Sequence, residues 1–169
     1  MEVTNLDTIV NYPRLILNKI ASSEILRELI TNKKKATIED LEDTDGNYKY
    51  MFDYDYVDDT TSEEKLYICL DVLPSNVENS HIMEMTIAIN VICHKDYMQL
   101  DNKIFKGIKG NRRDNVIRYI DKILNGSNHF GIGRLELANV VPITVSKRYT
   151  GRALAYYVYD FNRKGEING

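Results

Sequence analysis

The chain has 169 residues, of which 28% are charged and 43% are hydrophobic, a balance typical of one water-soluble globular domain. It lacks the apolar run of ~20 residues that a membrane-spanning helix needs, and its first residues lack the basic and apolar regions of a secretory signal. Two cysteines are too few for a disulfide framework or a four-cysteine zinc site. We therefore expect a single domain over residues 1–169 that contacts no membrane.

The charge is unevenly distributed along the chain. The formal net charge is −3, but residues 39–64 contain eleven carboxylates and one lysine, so this acidic arm carries −10 and the remainder carries +7. A charge block is usually a solvated loop. It is also a means of attracting or repelling a charged partner, and both interpretations stay open at this point.

The N-terminal segment predicts helical structure. Pro13 is typical of the first turn of a helix, and Ile16 and Ile20 follow it at helical spacing. Ser22 or Ser23 is a suitable N-cap for a second apolar stripe that includes Leu26 and Leu29. One bent helix and a pair of helices both fit this pattern.

The period of the sequence changes to two inside the acidic arm. Residues 48–57 predict a strand or an extended segment with one aromatic face and one largely acidic face. The aromatic positions are Tyr48, Tyr50, Phe52, Tyr54 and Tyr56.

Four further strands follow from alternating apolar residues. The first is predicted over 66–73 and ends at Pro74, and the second covers 83–93. Because only about eight residues connect them, antiparallel pairing is favoured. The third is predicted near 132–141, closed by Pro142, and the fourth near 152–161.

Residues 101–113 read as a flexible basic loop that leads into a helix over 112–125. Asn111 is a suitable N-cap for this helix, with Asp114 three residues later, and Gly126 is placed to end it. Together these elements predict an α+β fold, with a mainly antiparallel sheet of about four strands, helices packed on one face, and the acidic arm as an extension.

Signals for enzymatic chemistry are weak. The three histidines are far apart and lack metal-ligand spacing, and Cys93 fits a small buried hydrophobe. Asp71 and Glu84 are candidate carboxylates for a metal-dependent nuclease, but Thr86 stands where the usual lysine is expected. We therefore predict no catalytic residue, no metal ligand and no cofactor.

The informative features are charged surfaces. Patches of opposite charge at different places on one chain suit head-to-tail contacts, which form rings when they close; ordinary surface charge on a monomer is the competing interpretation. The candidate basic contacts are Lys103, Lys106, Lys109, Arg112, Arg113, Lys147, Arg148 and Arg152.

The order helix, strand pair, helix, strand pair resembles the neck and tail-completion proteins of tailed bacteriophages, especially the tail-terminator class. The similar stretches are residues 48–57, 85–94, 110–114 and 151–162. This resemblance implies a virion protein, present in the host cytoplasm during assembly, that forms a ring, expected to be a hexamer, at the end of the tail tube. Its partners would be its own copies, the tail tube protein and neck or connector proteins, while DNA passes through the lumen without specific binding.

Within this resemblance, the five aromatic residues of the arm are candidate assembly contacts. The candidate lumen or interface acids are Asp53, Asp55, Asp58 and Asp59. The arm exceeds what a minimal terminator needs and would suit contact with a sheath or collar protein, so terminator, head–tail adaptor and collar protein stay open. Two other classes also stay open: a nucleic-acid-binding module that uses residues 103–113, and the metal-dependent nuclease.

Overall fold

The structure, a computed structural model, describes residues 5–57, 60–77 and 81–161. These residues form a single α+β domain with three α-helices and a five-stranded sheet. The elements in chain order are α1 (Asn5–Ser22), α2 (Glu24–Thr31), β1 (Met51–Phe52), β2 (Leu66–Val77), β3 (Ile82–His94), α3 (Arg112–Leu124), β4 (Ile132–Thr144) and β5 (Tyr149–Phe161).

The sheet has the order β1-β2-β3-β5-β4. Strands β2, β3, β5 and β4 pair in antiparallel fashion, which confirms the four predicted strands, whereas the two-residue β1 adds to the outer edge of β2 in parallel. The sheet is therefore mixed.

The three helices pack on one face of this sheet and enclose the main core with it. Alternate residues of β3, such as Ile87 and Ile89, are fully buried there and meet the apolar stripes of the helices. On α3, Val116, Ile120 and Leu124 are fully buried and form the face of the helix that packs on the sheet. Among the helices of the described residues, none combines the length and the apolarity needed to span a lipid bilayer.

The N-terminal helices form a pair, and Pro13 is not where the sequence predicted it. Ser23 has an extended backbone between α1 and α2, although its side chain makes no capping hydrogen bond. Pro13 lies inside α1 and not in its first turn. Its ring is buried, so packing against the core offsets the hydrogen bond that a proline removes from a helix.

Two strands continue through the prolines that were predicted to end them. Strand β2 passes Pro74 with a register irregularity and reaches Val77, and β4 passes Pro142 and reaches Thr144. Both prolines are tolerated for the same reason. Strand β4 is an edge strand, and β2 beyond Cys69 has no partner on its outer side, so a missing N–H leaves the ladder intact.

Candidate assembly surfaces

The acidic arm is bent, and only Met51–Phe52 is a strand. The chain bends at Asp53 and Tyr54, and the rings of Phe52 and Tyr56 stack 4.1 Å apart at an interplanar angle of 9°. The prediction of a strand or extended segment over the whole of residues 48–57 is therefore wrong outside Met51–Phe52. The physical reason is that stacking within the arm removes aromatic surface from water that a straight strand would leave exposed.

The arm is held to the domain from both of its faces. The aromatic residues occupy the even-numbered positions of the arm, and Met51 and Val57, at odd-numbered positions, are buried. Tyr48 donates its hydroxyl hydrogen to Oδ1 of Asn18 at 2.9 Å. Met51 pairs with Ile68 of β2. Strand addition to the chain's own sheet edge, one of the placements that strand geometry favours, is thus what the structure contains.

The connection from β1 to β2 crosses the sheet face opposite the helices, which we call the open face. Val57 packs there with Tyr67, Cys69 and Tyr149 in a small second core. Asn90 on β3 donates from Nδ2 to Oδ1 of Asp55 at 3.5 Å. Burial under this crossover raises the pKa of the Cys69 thiol. Within the described ranges, the arm therefore covers one end of the open face and leaves the rest of that face uncovered.

Some carboxylates of the acidic arm have a structural role. Asp40 accepts hydrogen bonds from Nζ of Lys33 and from the backbone N–H of Thr37, and these bonds lower its pKa. Asp43 accepts from the backbone N–H groups of Asn47 and Asp45 and closes the turn between them, which lowers its pKa in the same way.

The candidate lumen or interface acids are placed differently. Asp53 and Asp55 are both exposed, although Oδ1 of Asp55 also accepts the hydrogen bond from Asn90. Asp58 and Asp59 lie outside the described residues.

Cations gather at the end of the sheet where β3 ends and β5 begins. The backbone N–H of Lys95 donates to the carbonyl of Arg148 at 2.9 Å, and this bond joins the two loops at that end. Segments 95–111 and 145–148 contribute six exposed cations and two carboxylates, Asp96 and Asp101. We call this surface the basic end; its exposed cations are Lys95, Lys103, Lys106, Lys109, Lys147 and Arg148.

The loop that carries these lysines is packed against the domain, in contrast to the predicted flexible loop. Phe105 is buried in the main core, and Ile104 and Ile108 pack against it. Lys103, Lys106 and the other lysines are exposed because the apolar residues between them turn inward.

Arg112, predicted as a surface contact, is in fact buried, with 1% of its surface exposed. Its guanidinium donates to the carbonyls of Leu29, Tyr97 and Gln99 and to Oδ1 of Asn32, at 2.7–3.1 Å. It also lies 4.1 Å from the centre of the Tyr97 ring. Arg112 therefore joins the end of α2 to the start of α3 and is not available to a partner.

Arg113 and Arg152 are partly neutralised by the same carboxylate. Oδ1 of Asp114 lies 2.9 Å from a guanidinium nitrogen of Arg113 and 3.2 Å from Nε of Arg152. Burial opposes ionisation of Asp114, but hydrogen bonds from Asn111 and Arg113 outweigh it, so the pKa of Asp114 lies below its usual value. These two predicted contacts are thus committed to packing α3 on β5.

The residues considered for enzymatic chemistry are not brought together. Asp71 is level with Ala88 of β3, four residues along from Glu84, so the two carboxylates are separated by about 13 Å along the strand direction. Within the described ranges, no three His, Cys, Asp or Glu residues are grouped to hold a metal ion. Cys93 is fully buried, as predicted for a small hydrophobe.

Sequence reasoning missed two features of these surfaces. Lys95 follows β3 directly and joins the basic end through its bond to Arg148, a contact that depends on which strands pair. Tyr157 and Tyr159 are exposed on the open face, because the other alternation of β5 faces the helices. The sequence did contain a signal for the second feature, because the predicted strand has tyrosines on both of its faces.

Comparison with known families assigns the chain to one of them. The family model YomW matches residues 22–158, which is most of the chain. The chain belongs to the YomW family. This family is phage-related, in agreement with the phage origin that the resemblance implied. The YomW match runs from the end of α1 to β5 and includes both the acidic arm and the basic end. No curated protein matches the chain.

Proposed function

We propose that the chain is a non-enzymatic structural protein of the phage particle, a tail-terminator or neck ring subunit that caps the tail tube and joins it to the head connector. The observation that carries this proposal is the presence of two distinct surfaces of opposite charge, the acidic arm and the basic end, on one small domain of a phage-related family. The acidic arm joins the β2 edge and then crosses the open face near the start of β5, while the neighbouring loops 95–111 and 145–148 form the basic end. Two different and complementary surfaces suit heterologous contacts, which form closed rings.

The same arrangement suggests the partners. Copies of the chain would form the ring, expected to be a hexamer, between the tail tube and the neck or connector proteins. The arm would reach a neighbouring ring, sheath or collar protein. If Asp53 and Asp55 face the lumen, their exposed carboxylates repel DNA phosphates, and DNA passes without specific binding. Such a protein is located in the virion, and in the host cytoplasm during assembly.

The test combines mass measurement and imaging. Sedimentation velocity of the purified chain, alone and with purified tail tubes, is followed by negative-stain microscopy. We expect a ring of about six copies, seated at one end of the tube. A chain that stays monomeric alone and neither binds nor caps tubes contradicts the proposal, and tubes without added chain are the control.

Nucleic-acid binding is the second candidate, because the basic end combines cations from two separate loops. If it binds duplex DNA through phosphates, its affinity falls steeply as salt rises, and Lys106→Glu with Lys109→Glu removes binding. The exposed tyrosines of β5 lie on the open face and not among these lysines, so no stacking platform supports single-strand binding. A gel shift on duplex DNA at several salt concentrations separates this candidate from the ring subunit.

A further inference from the structure

The uncovered part of the open face exposes a group of large apolar side chains. The strand register places Leu73, Thr86 and Tyr157 in one row across β2, β3 and β5, and Tyr159 lies beside Ile132 of β4. A contiguous apolar patch of this kind marks an interaction surface. Its exposed members, each 38–56% exposed, are Leu73, Ile132, Val141, Tyr157, Tyr159 and Phe161.

At the paired positions of this face, the charged residues of the described strands are carboxylates. Asp71, Glu84 and Glu136 occupy paired positions whose side chains point to the open face. At the paired positions of this face, within the described strands, there is no lysine or arginine; Arg134 lies in the irregular stretch of β4. Carboxylates pair with cations, and the faces of aromatic rings attract them as well. The open face is therefore chemically suited to a basic partner.

We propose that the open face of one copy binds the basic end of a second copy. The basic end supplies six exposed cations against two carboxylates, which complements a face that holds carboxylates and tyrosines. The contact is heterologous, because the face and the end are different parts of the domain. This inference deepens the proposed function, on which it rests, by naming the contact that joins ring subunits.

Pairing through the β4 edge is a poorer route to the same assembly, because that edge is already occupied at Leu135. The backbone N–H of Gly126 donates to the carbonyl of Leu135, and the N–H of Leu135 donates to the carbonyl of Ser127, at 2.7–2.8 Å. Farther along β4, Pro142 lacks an N–H to offer a new strand. These two features disfavour strand pairing at the β4 edge, so the open face is the better contact surface on this side of the sheet.

The test uses two charge-reversal variants and their mixture, measured by sedimentation velocity at low and high salt. The face variant is Glu84→Lys with Glu136→Lys, and the end variant is Lys106→Glu with Lys109→Glu. Each alone is expected to weaken self-association at least tenfold. An equimolar mixture is expected to restore it, since each variant keeps the surface that the other lost. Lys122→Glu, an exposed reversal on α3 away from both surfaces, is the matched control and should associate like the parent.

Each other outcome overturns the inference in a distinct way. If the face variant loses self-association and the end variant keeps it, the contact is a symmetric face-to-face dimer. Parent-like association of both variants, or a parent that is monomeric at low salt, shows that this contact is not used. If the face variant fails to fold, Glu136→Lys alone, on the edge strand, replaces it in the same mixture. Rings seen on tail tubes despite a failed mixture would preserve the proposed function while rejecting this contact.

Discussion

Replacing Arg112 with methionine should destabilise the domain more than any other substitution of a charged residue described above. The stem is kept, but the carbonyls of Leu29, Tyr97 and Gln99 and the amide oxygen of Asn32 lose their donor. An unsatisfied buried acceptor costs about 1 kcal/mol or more, which gives about 4 kcal/mol for the four. Burial opposes the charged form of Arg112 and lowers its pKa, so removing the charge recovers part of this cost.

We therefore expect a net loss of about 3 kcal/mol in the free energy of unfolding. Urea denaturation followed by circular dichroism measures it, and the transition midpoint should fall while the slope stays constant. Arg118→Met, at an exposed position of the same helix, is the control and should change stability by less than about 0.5 kcal/mol. A loss below about 1 kcal/mol for Arg112→Met would refute the view that these four bonds hold the helices and the loop together.

Three further outcomes are expected. Ile120→Asp places an unpaired carboxylate in the core and should cost more than about 4 kcal/mol; an unchanged melting temperature would show that α3 does not pack as described. Burial raises the pKa of Cys93 and of Tyr97 to about 12, so both groups ionise more readily in the unfolded chain. The free energy of unfolding should therefore be constant below about pH 9 and decrease as the pH rises towards 12. At pH 10, ionisation of the Cys93 thiol in the unfolded state lowers the free energy of unfolding by about 1 kcal/mol, so the melting temperature of Cys93→Ala should fall less steeply with pH. Tyr50→Ser with Phe52→Ser should loosen the arm and reduce the yield of infectious particles; a yield equal to the parent's would reject a contact role for the arm.

The sequence predicted what local rules determine. The N-cap of α3 is one example, because Asn111 accepts from the backbone N–H of Asp114 at 2.8 Å, as the spacing required. Gly126 likewise has the positive φ expected beyond the end of that helix. The long alternation of apolar and polar residues in β3 predicted a strand, and the structure confirms that strand.

Errors arose where the answer depended on neighbours in space. Whether Pro142 ends a strand depends on whether that strand is at an edge, which its own residues do not reveal. The charge of Arg112 is visible in the sequence, but its burial depends on the carbonyl of Leu29 in α2 and on Oδ1 of Asn32 just beyond it, which lie 80 or more residues away. Stacking of Phe52 on Tyr56 competes with the straight strand that their alternation indicates.

The short strand β1 has a consequence for folding kinetics. Its two residue pairs join β2 in parallel, and the described part of the connection between them contains no helix. Two pairs are too few to hold β1 in place alone, so we expect β1 to gain its partner only once β2 is in the sheet. We expect the arm to dock late, after the folding transition state. Substitution of Met51 should then accelerate unfolding and leave the folding rate nearly unchanged, whereas substitution of Ile87 in the central strand should slow folding.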